Sequence, residues 1–291
     1  MTDGLLPRTK QMDSIGENPA HSDWVAGRSI AAYGVRVGIR TNGPEFLDKM
    51  LGMLPDIWKP SSSPAVERVF SLRVGTARLR GNERPSHQLY EDQKVVASSR
   101  DLDWIIEAFE TNLKMYLAEM ARRRVFVHAG SVGWKGKAII IPGRSFSGKT
   151  SLVAELVRAG ASYYSDEYAV LDKHGRVHPY SSPLAVRDPG TFKQKRRRAE
   201  ELGGENGVGP LPVGLVIVTR YKAGKRWRPR RLSAGQAVLE LLANTVPARR
   251  KPKVVIPTLQ NAVSEAIALK SVRGEAKDTA GLILDFLQTE H

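Results

Sequence analysis

Hydrophobic and polar positions in the first part of the chain follow the period of strands and then of a long helix. Apolar residues alternate with polar ones, or form short runs, in three strand candidates: Ser29 to Thr41, Val66 to Thr76 and Gln88 to Ser98. From Asp101 to Arg124, apolar residues recur every three to four positions and predict the longest helix of the chain. These elements predict a small α+β lobe over residues 23–124, preceded by a flexible, polar N-terminus at 1–22.

The second part of the chain alternates short apolar runs with helical patterns, which is typical of an α/β domain. Strands are predicted at 125–134, 137–141, 162–165, 168–171, 215–219 and near 268–272. Helices are predicted at 151–157, 234–243, near 258–267 and at 276–287. The segment 191–214 is basic at its start and rich in glycine and proline afterwards, so it is predicted to be mobile. The second predicted domain therefore covers residues 125–291.

One motif in this second domain carries recognisable chemistry, because it has the spacing G-x-x-x-x-G-K-[ST] of a phosphate-binding loop (P-loop). Its residues are Gly143, Arg144, Ser145, Phe146, Ser147, Gly148, Lys149 and Thr150. A predicted strand precedes the motif and a predicted helix follows it; the alternative is an ordinary glycine turn between the two. The loop amides and the positive end of the helix would bind a nucleotide's phosphates. Lys149 would reach the outer phosphates, and the Thr150 hydroxyl would bind Mg²⁺.

Two acidic positions compete for the carboxylate that phosphoryl transfer to a hydroxyl needs. Asp172 ends the apolar run Tyr168 to Leu171, the usual setting of a magnesium-binding Walker B aspartate. Asp166 and Glu167 instead end the strand that follows the P-loop helix. In a parallel sheet that position lies at the same edge as the phosphates, which favours the pair without excluding Asp172.

Taken together, these residues resemble the HPr kinase/phosphorylase family and, more distantly, phosphoenolpyruvate carboxykinase. The resemblance runs from Val127 to about Asp172. In that family a His-Gly pair on a strand precedes the P-loop, and an Asp-Asp pair follows the P-loop helix. The chain has His128-Ala129 and Asp166-Glu167 at these positions, at spacings that match without a gap.

The resemblance implies an α/β P-loop domain, with a mixed sheet and flanking helices, that transfers the γ-phosphate of ATP to a serine hydroxyl with Mg²⁺. By this analogy Asp166 would act as the base and Glu167 would hold Mg²⁺ with Thr150. His128 would orient Asp166 or the acceptor hydroxyl. Some relatives phosphorylate precursors of ribosomally made peptides such as lasso peptides. The family also tends to form rings, which leaves a homo-oligomer open.

The formal net charge of +15 is concentrated in one part of the sequence, since sixteen Lys and Arg stand against four acids between Lys193 and Lys253. Such a block suggests an acidic partner, whether nucleotide, acidic peptide or nucleic acid, and the alternative is a solvated loop without a partner. Few aromatic residues accompany the charges, which disfavours nucleic acid. We expect an acidic peptide or protein acceptor to be recruited by Lys193, Lys195, Arg196, Arg197 and Arg198.

Composition narrows the remaining classes of protein. The chain has no cysteine, so disulfides and thiolate metal sites are excluded. No apolar stretch is long enough to span a bilayer and the N-terminus has no apolar signal core, so a cytoplasmic protein without membrane contact is expected. A GTPase is disfavoured because no N-K-x-D motif is present. Three functions stay open: a serine kinase of a peptide or protein, a kinase of a small hydroxyl-bearing molecule, and an ATP-binding regulatory module that contacts nucleic acid.

Overall fold

Two units with separate sheets make up the chain, Met1–Arg122 and Arg123–His291. The computed structural model describes residues 10–11, 24–75, 86–145, 147–187 and 194–289. Both units are mixed α/β arrangements in which helices flank mixed sheets. The division falls next to the predicted end of the first lobe at residue 124.

The first unit is built on a sheet of six strands. Its strands are β1 (Lys10–Gln11), β2 (Ala26–Ala32), β3 (Val35–Thr41), β4 (Lys59–Pro60), β5 (Ala65–Val66), β6 (Arg68–Arg73), β7 (His87–Glu91) and β8 (Lys94–Ser99), and its helices are α1 (Pro44–Gly52) and α2 (Leu102–Met120). The sheet has the order β4-β2-β3-β6-β7-β8, and β3 and β6 run parallel in it, while β1 pairs with β5. Phe70 packs edge to face on Phe109 and Tyr116 and so joins the sheet to α2.

The predicted boundaries in this unit were wrong where a tight turn keeps the alternation going. The strand predicted over 29–41 is two strands, joined at Tyr33 and Gly34, which both have positive φ as in a tight hairpin turn. The strand predicted over 88–98 is likewise the hairpin of β7 and β8, with Asp92 at positive φ. Asp101 caps α2, because its side chain accepts from two backbone amides of the first turn.

The second unit holds a larger sheet and four α-helices within the described ranges. Its strands are β9 (Val125–Trp134), β10 (Lys137–Pro142), β11 (Ser162–Ser165), β12 (Tyr168–Leu171), β13 (Val177–His178), β14 (Leu184–Arg187), β15 (Gln194–Arg197), β16 (Val213–Tyr221), β17 (Arg230–Arg231) and β18 (Ile267–Arg273). Its helices are α3 (Lys149–Arg158), α4 (Ala234–Leu242), α5 (Pro252–Val263) and α6 (Ala276–Thr289). The sheet has the order β13-β12-β9-β10-β16-β18-β17, with β11 as a further partner of β9, and β14 and β15 form a separate hairpin.

Helices cover both faces of this sheet, and the strand before the P-loop shows how. Ile139 and Ile141 of β10 belong to the core that α3 and α6 complete. Ala138 and Ile140 belong to the opposite core, with α4 and α5. Because successive side chains of a strand point to opposite faces, the uninterrupted apolar run of β10 is the pattern of a strand covered on both sides.

Two segments of the second unit differ from the predicted pattern. α5 begins at Pro252, six residues before the start near Thr258 that the sequence predicted. A proline usually marks a helix boundary, but Pro257 lies inside this helix. In the segment predicted to be mobile, β15 pairs with β14, and Leu211 exchanges two backbone hydrogen bonds with Val177. The mobility itself stays a prediction.

None of the helices in the described part of the chain combines the length and the hydrophobicity that crossing a membrane requires.

Candidate functional site

The P-loop lies at the edge of the second sheet where three parallel strands end. β10 runs parallel to β16, and β16 runs parallel to β18. Their last residues are Pro142, Tyr221 and Arg273, so the loop that follows β10 shares an edge with the ends of the other two strands. The carboxyl ends of parallel strands are the usual ligand-binding edge of an α/β sheet.

Asp166 and Glu167 reach this edge by a different route from the one predicted. β11 and β12 are antiparallel to β9, which is itself antiparallel to β10, so they run in the direction of β10 without being its neighbours. Ala129 of β9 pairs with Pro142, and its backbone N–H donates to the carbonyl of Glu167 at 3.1 Å. The acidic pair is therefore level with the start of the P-loop, in a mixed sheet and not in a parallel one.

The geometry of the loop requires glycine at position 148 and leaves little room for a side chain at position 143. Gly148 has a φ of +85°, and a Cβ there would lie 2.4 Å from Nη2 of Arg273. A Cβ on Gly143 would lie 2.8 Å from the Ser147 hydroxyl, which is buried and has no hydrogen-bond partner among the described residues. Of the other loop positions, Arg144 and Ser145 are exposed, and Phe146 lies outside the described residues.

Lys149 lies inside the loop with only 7% of its surface exposed. Its Nζ donates to the carbonyl oxygens of Gly143 at 2.8 Å and Arg144 at 2.9 Å. Burial lowers the pKa of Lys149 to about 8, against the opposing effect of the negative charges of Asp166 and Glu167. Lys149 is therefore a buried amine at the start of α3 whose charged form the two carboxylates favour.

Asp166 connects the P-loop helix to the acidic pair. Its Oδ2 accepts a hydrogen bond of 2.9 Å from the Thr150 hydroxyl, and its Oδ1 accepts one of 2.9 Å from the Tyr163 hydroxyl. Tyr163 also lies 2.8 Å from the Ser182 carbonyl oxygen, and its single proton can serve one acceptor at a time. Burial and then the Asp166 charge raise the pKa of Tyr163 well above its usual value, so the phenol stays protonated. Tyr163 was not predicted as a site residue.

His128 faces the same side of the sheet as the P-loop helix. Its neighbours Val127 and Ala129 point into the core of α4 and α5, so by alternation His128 points to the other face. It pairs across the ladder with Tyr168, two residues after Asp166. Burial, followed by the charge of Lys149, lowers the pKa of His128 to about 4, and the imidazole is therefore neutral near pH 7.

Asp172, the alternative carboxylate, serves a turn at a distance from the loop. It accepts from the backbone amides of His174 at 2.9 Å and Arg176 at 3.1 Å, and it lies 2.8 Å from the Arg176 guanidinium and 3.0 Å from His178 Nε2. Burial would raise its pKa, but the hydrogen bonds from His178 and Arg176 outweigh burial and lower the pKa to about 2. β12 leads away from the loop, and Asp172 directly follows it. Asp172 is four residues beyond Tyr168, which corresponds to about 13 Å along an extended strand. The geometry therefore favours Asp166.

Arg273, at the end of β18, was not predicted from the sequence and is in direct contact with the loop. Its side chain is 2% exposed, with Nη2 donating to the Gly148 carbonyl at 2.7 Å and Nη1 to the Gly274 carbonyl at 2.8 Å. The guanidinium carbon lies 5.6 Å from the centroid of the Tyr221 ring, and the Tyr221 hydroxyl donates to Glu275 at 2.9 Å. Burial lowers the pKa of Arg273. The signal in the sequence was a basic residue at the carboxyl end of a predicted strand.

The residues predicted to recruit an acceptor lie on or beside the β14–β15 hairpin. Lys193 lies outside the described residues, and the others are Lys195, Arg196 and Arg197 in β15 and Arg198 after it. Arg197 Nη1 lies 3.7 Å from Glu201 Oε2, and the backbone amide of Arg198 donates to Glu201 Oε1 at 2.9 Å. Glu201 therefore offsets part of the positive charge of this group.

Oxygen atoms at the edge offer ligands of the kind that Mg²⁺ prefers: the Thr150 hydroxyl, the Asp166 carboxylate and the neighbouring Glu167. Within the described ranges, no group of three or more His, Asp or Glu side chains could hold a metal ion by itself. A divalent ion at this edge would therefore need oxygen ligands beyond these side chains. In comparisons with known proteins, no protein-family model matches the chain, and neither does any curated sequence.

Proposed function

We propose that the protein is an ATP- and Mg²⁺-dependent kinase of the HPr kinase type that phosphorylates a serine hydroxyl of a peptide or protein. The observation that supports the proposal most directly is the 2.9 Å hydrogen bond between Thr150 and Asp166. It joins the hydroxyl that binds Mg²⁺ in P-loops to the carboxylate at the position of the family's base. Both residues lie at the carboxyl edge of the parallel strands, where the phosphates of a nucleotide would be held.

Three features of the loop suit the phosphates of ATP. The loop amides lead into the N-terminus of α3, which carries partial positive charge. Lys149 is buried beside the loop, so its charge acts in a medium of low dielectric constant. The Ser147 hydroxyl is buried without a partner in the described part of the chain, a costly state that a phosphate oxygen would relieve.

The magnesium ion would be held by Thr150 and Glu167, with Asp166 beside them. When bound, Mg²⁺ would supply positive charge that offsets the negative charge developing on the phosphate during transfer. The resident carboxylates are hard oxygen donors, and the neighbouring Lys149 keeps the local charge from becoming strongly negative before the ion binds.

Asp166 would accept the proton of the attacking serine hydroxyl. Each carboxylate oxygen can accept more than one hydrogen bond, so the bonds from Thr150 and Tyr163 hold the group in place and still leave room for a third donor. His128, which is neutral near pH 7, would orient the acceptor hydroxyl by a hydrogen bond. A kinase of a small hydroxyl-bearing molecule would use the same residues.

The test combines radiolabelled ATP, Mg²⁺ and a library of peptides with one serine each. Asp166→Asn keeps the shape and removes the base, so we expect Mg-ATP binding close to that of the unchanged protein and a loss of transfer of about 10²–10⁴-fold. Glu167→Gln should instead raise the Mg²⁺ concentration that half-maximal transfer requires. Asp278→Asn, an exposed acid in the first turn of α6, is the matched control and should behave like the unchanged protein.

Three results would contradict the proposal. One is full transfer by Asp166→Asn, and another is transfer to a small molecule in place of every peptide. The third is ATP hydrolysis that nucleic acid stimulates without any transfer, which would favour the regulatory module over the kinase.

A further inference from the structure

The outer edge of the second sheet carries a basic strip that the proposed chemistry does not use. The strip comprises residues 222–231, where six of ten residues are Lys or Arg and none is Asp or Glu. All six side chains are exposed: Lys222, Lys225, Arg226, Arg228, Arg230 and Arg231. An exposed concentration of one sign of charge attracts ligands of the opposite sign.

The backbone of the basic strip is fixed to β18. The amide of Lys222 donates to the Arg273 carbonyl at 2.8 Å, and the amide of Arg228 donates to the Ser271 hydroxyl at 3.1 Å. At the far end of the strip, β17 pairs antiparallel with β18. Charges held on an ordered backbone can bind a partner without the entropy cost of ordering a loop.

An aromatic contact anchors the middle of the strip. Trp227 packs edge to face on Phe286 of α6, with 6.5 Å between the ring centroids. This contact turns the one aromatic ring of the strip toward the protein, and the basic residues on either side of Trp227 are exposed. The strip is therefore a charged edge supported by the core, unlike a solvated loop.

The basic strip begins beside the P-loop. Tyr221, the residue before it, lies under the Arg273 guanidinium, which donates to the Gly148 carbonyl. The far end, Arg231, pairs with Leu269, four residues from Arg273 along β18. Four residues of a strand span about 13 Å, so the strip leads from the phosphate edge along the side of the sheet.

We propose that the basic strip is the docking surface for an acidic stretch of the acceptor peptide or protein, an inference that rests on the proposed kinase function. A serine at the P-loop edge would place acidic side chains on the strip if they stand about four to six residues away, since an extended chain advances about 3.3 Å per residue. The cations would also offset the repulsion between an acidic acceptor and the phosphates. Surface charges are screened over about 10 Å at 0.1 M salt, so docking should weaken as salt rises.

The structure favours an acidic polypeptide over single-stranded nucleic acid. Proteins that bind single strands combine a basic groove with exposed aromatic rings on which bases stack. Here Trp227, the one aromatic residue of the strip, packs on Phe286, and Tyr221 beside the strip is 44% exposed with the Arg273 guanidinium over its ring. The strip therefore offers many charges but few rings on which bases could stack.

Binding is measured without nucleotide by fluorescence anisotropy of two labelled peptides. One has a single serine followed by a spacer and a run of glutamates, and the other has glutamines in place of the glutamates. We expect the strip variant, Lys225→Gln with Arg226→Gln and Arg228→Gln, to bind the glutamate peptide about tenfold more weakly, since each exposed charge contributes modestly. The matched control removes three exposed cations elsewhere, with Arg249→Gln, Arg250→Gln and Lys253→Gln, and should bind like the unchanged protein.

The outcomes separate this inference from the kinase proposal. Strip-dependent binding without phosphate transfer supports the docking surface and contradicts the kinase. Equal transfer to both peptides, with an unchanged KM in the strip variant, leaves the kinase intact and overturns the docking surface. Equal losses in strip variant and control also overturn it. So does tighter binding of a single-stranded oligonucleotide that is lost in the strip variant, which would reassign the strip to nucleic acid.

Discussion

At the scale of single residues, Lys149 shows how burial sets the chemistry of the loop. Its amine is surrounded by loop carbonyls, and its pKa is lowered to about 8 because a buried ammonium loses hydration. The amine is thus still mostly charged at neutral pH, and a nearby anion would raise its pKa again. The sequence motif predicts the residue, but only the packing around it sets its pKa.

We expect Lys149→Met to lower phosphate transfer by about 10²–10³-fold, the typical effect of removing a charge that stabilises the transition state. Loss of two hydrogen bonds to loop carbonyls should make the loop less ordered while the core of α3 stays intact. Lys137→Met, at the exposed start of β10, is the matched control and should transfer phosphate normally. The measurement is the rate of phosphate transfer at saturating ATP. Near-normal turnover by Lys149→Met would contradict the assignment of the P-loop to the active site.

We expect Asp172 to contribute to the stability of the fold and not to catalysis. Its pKa is lowered from 3.8 to about 2, a difference that corresponds to about 2 kcal/mol of stability. Because the folded-state pKa is the lower one, this stability is present above about pH 4 and is lost as the pH falls toward 2. Asp172→Asn should therefore unfold more easily in urea at neutral pH, by roughly that amount, and differ less from the unchanged protein near pH 3.

The same variant should still transfer phosphate, since Asp172 serves the turn after β12. An inactive but fully stable Asp172→Asn would instead support the Walker B alternative.

At the scale of elements, local patterns predicted the segments, but long-range pairing placed them. The run from β10 through the P-loop to α3 is continuous in sequence, so periodicity and the glycine spacing were enough to predict it. The sequence predicted the acidic pair at the edge that carries the P-loop, on the assumption of a parallel sheet. β11 and β12 do reach that edge, but as antiparallel partners of β9. Pairing direction depends on contacts between residues far apart in the sequence, which no local pattern contains.

Arg273 is the clearest case of a site residue that local patterns miss. It contacts Gly148, 125 positions earlier in the chain, only because β18 lies two strands away from β10 in the sheet. Its guanidinium fits the space that a side chain at Gly148 would fill. The end of one element therefore supports the start of another, and the effect of this contact on nucleotide binding can be measured.

We expect Arg273→Met to weaken Mg-ATP binding by about tenfold or more, because a charge-assisted hydrogen bond to the loop typically contributes about 1.5–3 kcal/mol. Arg273→Lys keeps the charge but loses the second donor nitrogen, so its affinity for Mg-ATP should lie between those of Arg273→Met and the unchanged protein. Isothermal titration calorimetry gives the affinities, with Arg158→Met at the exposed end of α3 as the control. Unchanged affinity in Arg273→Met would show that the loop keeps its shape without this contact.

At the scale of the whole molecule, the chemistry predicted from the sequence is confined to the second unit. The P-loop, the acidic pair, His128 and the basic stretch from Lys193 to Lys253 all lie within Arg123–His291. Both of the cores that cover the large sheet are also built from residues of this unit. The division into two units could be predicted from the change of pattern after the long helix, but no recognisable chemistry in the first unit indicates its role.

A fragment of residues 123–291 should therefore fold by itself and bind Mg-ATP with the affinity of the full chain. Its two cores are complete, and a domain of this size buries enough apolar surface to be stable alone. We expect a single cooperative unfolding transition in urea and the same dissociation constant by calorimetry. The fragment of residues 1–122 should show no nucleotide binding in the same experiment. If the larger fragment folds but no longer binds Mg-ATP, the first unit contributes to the nucleotide site; if it does not fold, the two units are stable only together.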